Sequence, residues 1–406
     1  MDPRRATGGG LGFPGETARA VAVLDRDNRG IRRDANPRLL NSAPFRTIET
    51  RGFALSAQHV IAVDLGGTRI RAAVIQPDGS RLARIDRPTP KDQGPAAVVA
   101  ACIDAARDSR AAASTAAGGD IAGIGVSSPG PVNPRTGVVV ETPNIGPMFK
   151  DIPLTAALGE ALDLPAFLDR DTNVAALGER AFGAARDCDD FIYLTVSTGV
   201  GGSIVTGGEI LHGPDGLAGE LGHIPVTLDG PRCGCGGIGH VEAYASGAGL
   251  AKLARAAVED GRSPFLAKRA TAVGGAAKLS AVEVADGEDA GDPVCVELMT
   301  RARRAIAVGC VGYVHAFNPH RIVIGGSIAE AQGERLLGEV RETLRTEAFK
   351  AFSRHVTVVP AGLGGDVSLA GAHPLVMARL AARDRQSISN PTRSDRPVAV
   401  PGGTHA

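Results

Sequence analysis

The chain has 406 residues, and its 44 Lys and Arg against 44 Asp and Glu give a formal net charge of zero. This length predicts two domains with tails, and the balanced charge does not favour nucleic acid or an anionic membrane as a partner. There is no apolar run of roughly 18 residues and no secretory signal, and six cysteines in so long a chain are not a disulfide framework, so we expect a protein of the reducing cytoplasm.

The first 57 residues differ in composition from the rest of the chain. They contain a Gly8-Gly9-Gly10 run and scattered prolines, and the stretch from Met1 to Arg51 has ten arginines against six acidic residues. No hydrophobic period is sustained there. We therefore predict that residues 1–57 are a disordered or loosely held extension.

From residue 59 onward, short apolar strands end in Gly-rich turns and are followed by helices. The strand and hairpin near residue 60 recur near residue 191, which predicts an α/β protein of two similar halves with a cleft between them. In chain order, the predicted elements are a hairpin of strands 60–63 and 72–75, a helix at 96–106, strands at 121–126 and 167–169, a helix at 173–182, strands at 191–196 and 203–206, a helix at 294–317, a strand at 321–324 and a short helix at 375–380.

Three Gly-rich loops follow predicted strands. Their glycines allow backbone N–H groups to approach an anion, and Thr68 adds a hydroxyl donor, whereas Asp64 is better suited to hold Mg²⁺ directly or through water. Each loop by itself is also compatible with a plain turn. Three together favour a nucleotide lying across several loops, without the Gly-Lys-Ser/Thr ending of a Walker P-loop. The loops are Asp64-Leu65-Gly66-Gly67-Thr68, Ser197-Thr198-Gly199-Val200-Gly201-Gly202 and Gly325-Gly326-Ser327.

Residues 220–242 bring two thiols, two imidazoles and the carboxylates of Glu220 and Glu242 together on a Gly-rich loop. Thiolate and imidazole are the ligands that a tetrahedral zinc ion prefers, and their spacing favours a zinc site over unconnected polar loop residues. Glu220 and Glu242 are poor partners for such a site, so we expect the metal to fasten a loop that holds a polar substrate. The other four cysteines are expected to be buried thiols. The predicted ligands of a structural zinc ion are His223, Cys233, Cys235 and His240.

Asp171 lies between a predicted strand and the predicted helix at 173–182. A carboxylate in this place is usually a helix cap or a first-turn charge. A general base for a hydroxyl group would need the same kind of place, held rigidly at the floor of a cleft. The residues by themselves leave both interpretations open.

Taken in order, these motifs resemble those of the ROK family of bacterial sugar kinases and related repressors, over about residues 60–382. The resemblance implies the actin-like, ribonuclease-H-like fold, with two α/β domains closing over ATP and a sugar. We expect the first domain at residues 58–172, completed by a helix at 367–383, the second with the zinc loop at 173–366, and a polar tail at 384–406. The matching motifs are Asp64-Leu-Gly-Gly-Thr68, Ser128-Pro-Gly-Pro131, Thr142-Pro-Asn-Ile145, Asp171-Thr-Asn173-Val-Ala-Ala-Leu-Gly-Glu179, Thr198-Gly-Val-Gly-Gly202, Gly219-Glu-Leu-Gly-His223, Cys233-Gly-Cys-Gly and Gly325-Gly326.

The resemblance also implies roles for single residues. Asp171 would be the base that takes a proton from a sugar hydroxyl as its oxygen attacks the γ-phosphorus of ATP, which is bound with Mg²⁺. Glucose is the leading substrate, giving glucose 6-phosphate, and His223 would bind both zinc and sugar. Family members commonly form dimers or tetramers. The implied sugar-binding residues are Gly130, Asn144, Glu220, His223 and Glu242.

Two positions depart from the family pattern. His240 stands where the family usually has Cys, which keeps a four-ligand site as Cys₂His₂. Arg170 stands where many of the kinases have an Asn that contacts the sugar. Arg170 must turn away or reshape the pocket, and if it paired with Asp169 or Asp171 it would lower the pKa of that carboxylate and weaken Asp171 as a base.

Two alternatives to a kinase remain at this stage. One is a sugar-binding protein that has lost catalysis through Arg170, although phosphate-binding loops and Asp171 would then have no reason to persist. The other is a sugar-responsive repressor, which would need an N-terminal helix-turn-helix. Residues 1–57 are short for one and show no pair of amphipathic helices joined by a tight turn.

Overall fold

The structure of the protein, a computed structural model, describes residues 58–114, 120–142 and 144–389. The predicted extension at residues 1–57 and most of the predicted polar tail lie outside the described residues. Within the described ranges, no helix is both long and apolar enough to cross a membrane.

The first part of the described chain builds a five-stranded sheet. In chain order its elements are β1 (His59–Leu65), β2 (Arg69–Ile75), β3 (Arg81–Pro88), α1 (Pro95–Ala113), β4 (Ile121–Ser128), β5 (Val132–Asn133), β6 (Val138–Glu141), β7 (Lys150–Ile152), α2 (Leu154–Leu162) and β8 (Ala166–Arg170). The strand order is β3-β2-β1-β4-β8, and β5, β6 and β7 form a separate small sheet. The central strand β1 is buried along its whole length, which fits its nearly continuous apolar sequence.

The rest of the chain builds a second five-stranded sheet and most of the helices. Its elements are α3 (Asp171–Phe182), β9 (Phe191–Val196), β10 (Val200–Thr206), β11 (Glu209–Ile210), α4 (Val241–Ala245), α5 (Gly247–Glu259), α6 (Pro264–Val273), α7 (Ala281–Asp289), α8 (Pro293–Phe317), β12 (Arg321–Gly325), α9 (Ser327–Gln332), α10 (Glu334–Glu347), α11 (Lys350–Ser353), β13 (Thr357–Pro360) and α12 (Val367–Ser389). The strand order is β11-β10-β9-β12-β13. Aliphatic side chains of this sheet and of α5, α8 and α10 form one buried cluster.

The two sheets share one topology, which confirms the predicted recurrence of the unit near residue 60. In each sheet the first strand pairs antiparallel with the next strand and parallel with a later one. The C-terminal ends of β1, β4, β9 and β12 lead into loops that line one cleft, and β8 leads directly into α3, whose first residues line it too. Ligands of open α/β sheets bind at such ends. The predicted domain boundary at residue 172 stays a prediction.

Small residues allow α3 and α12 to pack backbone against backbone. A Cβ on Gly371 would lie 1.8 Å from the carbonyl oxygen of Val174, and one on Gly178 would lie 2.8 Å from that of Val367. Neither position can therefore accept a larger side chain without moving a helix. This close packing is how a chain with only 3% aromatic residues fills the region around α3.

Several predicted boundaries were wrong. The helix that the apolar pattern predicted at 375–380 is the 23-residue α12, whose start at Val367 agrees with the helix that the resemblance implied at 367–383. The tail predicted from residue 384 begins inside this helix. Pro374 lies within α12, and a proline usually ends a helix because it lacks an N–H group. Here the burial of Leu375 and Val376 against β1 favours the longer helix. In addition, α3 begins at Asp171, and β10 begins at Val200, so part of the second Gly-rich loop is strand.

Candidate active site

A cleft of about 900 Å³ lies where the strand-end loops converge. Most of the predicted site residues line it, so the predicted nucleotide and sugar positions share one cavity, as a group transfer requires. The predicted residues that the structure brings together here are Asp64, Gly66, Gly67, Gly130, Asn144, Asp171, Thr198, Gly199, Gly201, Glu220, His223, Glu242 and Gly326.

Two of the predicted phosphate-binding residues do not line the cleft. Thr68 lies in the first loop, and its carbonyl oxygen accepts a hydrogen bond from Thr89 N at 3.0 Å. Gly325 ends β12 in a buried position, where a Cβ would lie 2.7 Å from the Cβ of Ala361. The absence of a side chain at Gly325 thus serves packing, and its neighbour Gly326 reaches the cavity.

Close backbone approach at two glycines brings the loops together. A Cβ on Gly67 would lie 2.7 Å from Asn144 O, so the first loop rests against the segment that carries Asn144. Gly326 has a φ of 95°, and a Cβ there would lie 2.5 Å from Val196 O. This places the third loop against the end of β9, in a conformation that favours glycine.

Asp171 is the first residue of α3 and lines the cleft. Its Oδ1 accepts a hydrogen bond from Thr172 N at 2.7 Å. Burial is the main cause that raises the pKa of Asp171 to about 6, and the negative charges of Asp64 and Glu220 act in the same direction. Asp171 is thus both a first-turn residue of α3 and part of the cleft wall. The two interpretations that the sequence left open, a first-turn charge and a general base, are therefore compatible.

Arg170 turns away from both neighbouring carboxylates, which is one of the two outcomes that the sequence left open, and its guanidinium donates to neither Asp169 nor Asp171. Its Nη2 donates to the carbonyl oxygens of Gly202 at 3.0 Å and Ala218 at 2.8 Å, and Nη1 donates to Glu220. These acceptors belong to β10 and the loop before Glu220. The buried guanidinium is therefore directed toward Glu220, a predicted sugar ligand. The net shift in the pKa of Asp171 is upward.

Asp169, the other neighbour of Arg170, has its own set of partners. Its Oδ1 accepts hydrogen bonds from Asn173 Nδ2 and from the backbone N–H of Arg170, both at 2.8 Å. Its Oδ2 lies 2.7 Å from His212 Nε2. These contacts hold the pKa of Asp169 below its usual value despite burial. Asp169 thus anchors the end of β8 and leaves Asp171 to face the cleft.

The predicted zinc ligands come together. Their four ligand atoms all lie within 4.8 Å of one another, with Cys233 Sγ 3.6 Å from His223 Nδ1 and Cys235 Sγ 3.3 Å from His240 Nδ1. With zinc–sulfur and zinc–nitrogen bonds of about 2.3 and 2.0 Å, sulfur and nitrogen on a tetrahedral zinc ion lie about 3.5 Å apart. The cluster therefore fits a Cys₂His₂ site. The other four cysteines are buried thiols, as predicted.

His223 and Glu242 connect this cluster with the cleft. His223 turns Nδ1 to Cys233 and also lines the cavity. Glu242 Oε2 accepts a hydrogen bond from Val200 N at 3.0 Å, and its Oε1 lies 3.5 Å from Cys233 Sγ. One carboxylate thus contacts both the predicted zinc loop and the second Gly-rich loop.

Sequence reasoning missed two residues that contact Asp64. Arg71 donates from Nε and Nη2 to Asp64 Oδ2 at 2.9 and 2.6 Å, and Ser127 donates to Oδ1 at 2.8 Å. Arg71 stands opposite Asp64 in the β1–β2 hairpin. Counting the hairpin register outward from Gly66 and Gly67 would have shown this pair. The Ser127 contact depends on strand order and carries no local signal.

Comparison with known proteins gives a consistent result. The ROK family model matches residues 60–379. The glucokinase of Thermotoga maritima is 33% identical over 321 residues, which cover 79% of this chain and 98% of that protein. The N-acetylmannosamine kinase of Escherichia fergusonii is 32% identical over 312 residues, which cover 77% of this chain and 96% of that protein.

Solved structures agree with these relatives. The ROK hexokinase from Thermus thermophilus is 35% identical, with a TM-score of 0.66, and the match covers 80% of this chain and 100% of that one. A ROK family glucokinase from Streptomyces griseus, in complex with glucose and AMPPNP, is 31% identical, with a TM-score of 0.63 and coverage of 78% and 98%. The actin-like, ribonuclease-H-like fold predicted from the motifs is thereby confirmed.

Proposed function

Because the chain belongs to the ROK family, we propose that it is an ATP-dependent sugar kinase, which transfers the γ-phosphoryl group of ATP to a hexose hydroxyl. The observation that carries the proposal is the position of Asp171. Its carboxylate lines the cleft, and its pKa of about 6 makes it a better proton acceptor near neutral pH than an ordinary aspartate. It shares the cavity with the Gly-rich loops and with Glu220, His223 and Glu242.

In this reaction Asp171 accepts the proton of the sugar hydroxyl while the hydroxyl oxygen forms a bond to the γ-phosphorus. The bond between that phosphorus and the oxygen bridging to the β-phosphate breaks, and its electron pair stays on ADP. Positioning and neutralisation of charge account for most of the catalysis of phosphoryl transfer. Backbone N–H groups of the loops at Gly66, Gly199 and Gly326 would supply part of both.

Asp64 is the residue that would hold Mg²⁺. Its Oδ1 accepts one hydrogen bond, from Ser127, and keeps a lone pair for a metal ion or its water, whereas its Oδ2 accepts two hydrogen bonds from Arg71. The site therefore fits a metal ion bound directly or through water. When bound, Mg²⁺ would neutralise charge on the phosphates.

Zinc would be structural. All four tetrahedral positions would be taken by protein side chains, with no open position for a reacting water. The ion would fix the ring of His223 through Nδ1 and leave Nε2 for a sugar hydroxyl. It would also hold the loop that precedes Glu242.

Glucose is the leading candidate for the substrate. Glucokinases are among the relatives, and the Streptomyces griseus enzyme has a structure with glucose and AMPPNP. An N-acetylmannosamine kinase of similar identity makes that sugar the second candidate. Carboxylates at Glu220 and Glu242 suit hydroxyl donors, and a pocket of this kind rejects sugars that leave its polar groups unpaired.

A coupled ADP-release assay with Mg-ATP tests the proposal. The panel would be glucose, mannose, fructose, N-acetylglucosamine, N-acetylmannosamine and allose, with the variant D171N as the blank. Saturable turnover with one sugar, absent in D171N, is the expected result. Folded, zinc-loaded protein that turns over none of the six sugars would contradict the kinase proposal and favour a sugar-binding protein without catalysis.

A further inference from the structure

The cleft contains few positive charges for a ligand that carries many negative ones. Among the residues that the structure describes, its lining includes two arginines and no lysine. The same lining includes five carboxylates, namely Asp64, Asp171, Glu220, Glu242 and Glu330. A nucleotide polyphosphate would add several negative charges, so its binding needs cationic donors as well as backbone N–H groups.

Arg170 cannot supply this charge. Its Nε donates to Thr172 Oγ1 at 3.1 Å, both Nη2 hydrogens go to backbone carbonyls, and Nη1 is paired with Glu220. Its side chain is only 6% exposed. The guanidinium thus lies at the predicted sugar end of the cleft with nearly all its donors in use.

Arg71 lies at the opposite, phosphate-binding end. It extends from β2, directly after the first Gly-rich loop, and its Nη1 donates to Gly365 O at 2.5 Å on the far side of the cleft. Its fork on Asp64 Oδ2 is an ion pair, and its side chain is 24% exposed. It is held on a strand and lines the same cavity as Gly66 and Gly67, where the first Gly-rich loop would bind an anion.

We propose that Arg71 is a phosphate-binding residue of this site, whose guanidinium exchanges Asp64 for nucleotide phosphate oxygens when the nucleotide binds. The planar fork of arginine matches phosphate oxygens as well as it matches a carboxylate. Without a nucleotide, the ion pair keeps both charges satisfied. With one, the exchange frees an oxygen of Asp64 at the place where Mg²⁺ is expected. The inference rests on the proposed use of ATP.

Calorimetric titration of the zinc-loaded protein with ADP, in buffer without Mg²⁺ and then with MgCl₂, tests this role without turnover. Without Mg²⁺, R71Q should bind ADP at least about 10-fold more weakly than wild type, because a charge-assisted bidentate contact is lost. The same variant should bind glucose with unchanged affinity. R69Q is the matched control, since Arg69 lies two residues away on the same strand, is exposed and does not line the cleft. It should change the affinity for ADP less than about 2-fold.

Two further variants keep the test decisive. R71K should fold even if R71Q does not, and it should lose part of the affinity because a lysine cannot form the fork. D64N should retain ADP binding without Mg²⁺ and lose the added affinity that Mg²⁺ gives. Wild-type affinity for ADP in both R71Q and R71K would overturn the inference and leave Arg71 as a structural partner of Asp64.

The failure of the proposed function would look different. Wild-type protein would then bind ADP and yet phosphorylate no sugar, whereas loss of ADP binding in R71Q would still support the role of Arg71. Wild-type protein that binds no ADP under either condition would overturn both proposals.

Discussion

Asp171 can accept a proton from a sugar hydroxyl only while its own carboxylate is ionised, so activity should follow its pKa of about 6. We expect kcat/KM to be constant above about pH 7 and to fall about tenfold per pH unit well below pH 6. D171N should lower kcat by about 10²–10⁴-fold. Steady-state kinetics at pH 5–8.5 would check both the pH dependence and the loss in D171N. A wild-type kcat/KM that stays constant down to pH 5 would exclude Asp171 as the base.

The same pKa predicts the effect of D171N on stability. The pKa of Asp171 in the folded protein, about 6, lies above its usual 3.8, so the folded state binds this proton more tightly than the unfolded chain does. Ionised Asp171 therefore lowers stability, and this loss develops as the pH rises from about 4 to 6. D171N should melt at or above the wild-type temperature at pH 7.5, with a difference that shrinks toward pH 4. A lower melting temperature at pH 7.5 would show that Asp171 has a structural role.

Replacing Arg170 by Asn should weaken sugar binding more than catalysis. R170N leaves the carbonyls of Gly202 and Ala218 without their donor and releases Glu220, whose side chain is 47% exposed. We expect the free energy of unfolding to fall by about 1–3 kcal/mol and KM for the sugar to rise, with kcat changed less. R180Q is the control, because Arg180 makes an ion pair with Asp189 at the surface. Equal effects on kcat and kcat/KM would instead place Arg170 in the chemical step.

At the scale of elements, the proposed zinc ion would fix the loop that carries Cys233 and Cys235. C233S should reduce bound zinc to well below one equivalent, because four ligands are needed to close a tetrahedral site. It should also raise KM for the sugar, since His223 loses its fixed orientation. Metal analysis of purified protein measures the first effect. C188S, which changes a buried thiol elsewhere, should keep full zinc occupancy, and full occupancy in C233S would refute the site.

The elements that could be predicted from the sequence are those whose local hydrophobic pattern is uninterrupted. Apolar strands followed by Gly-rich loops were recognisable, and so were the long α8 and the catalytic candidates at strand ends. The edge strand β3 was missed because arginines interrupt its apolar residues and none of its residues is fully buried. The apolar pattern alone predicted helix α12 too short, because Pro374 interrupts it, whereas the resemblance placed the start of the helix at residue 367. The partners of Arg170 Nη1 and Nη2 lie 32 to 50 residues away along the chain, and no local pattern specifies them.

At the scale of the whole molecule, the cleft combines groups from both sheets. Glu242 lies between its predicted sugar end and its predicted nucleotide end. Its carboxylate holds Val200 N of the second Gly-rich loop, and the same residue is a predicted sugar ligand on the zinc loop. Sugar bound at Glu242 and nucleotide bound at that loop should therefore favour each other. The coupling between two such sites is reciprocal, and about 5-fold or more is typical.

Calorimetry with ADP, with and without saturating glucose, would measure this coupling, and glucose titrations with and without ADP must give the same factor. E242A should bring the factor close to one, because it removes the contact between the zinc loop and Val200. E330Q should leave the factor unchanged, since Glu330 lines the same cleft from α9. If E242A kept the wild-type factor, another contact would carry the coupling. The candidate is the packing of α3 against α12, whose backbones are in close contact.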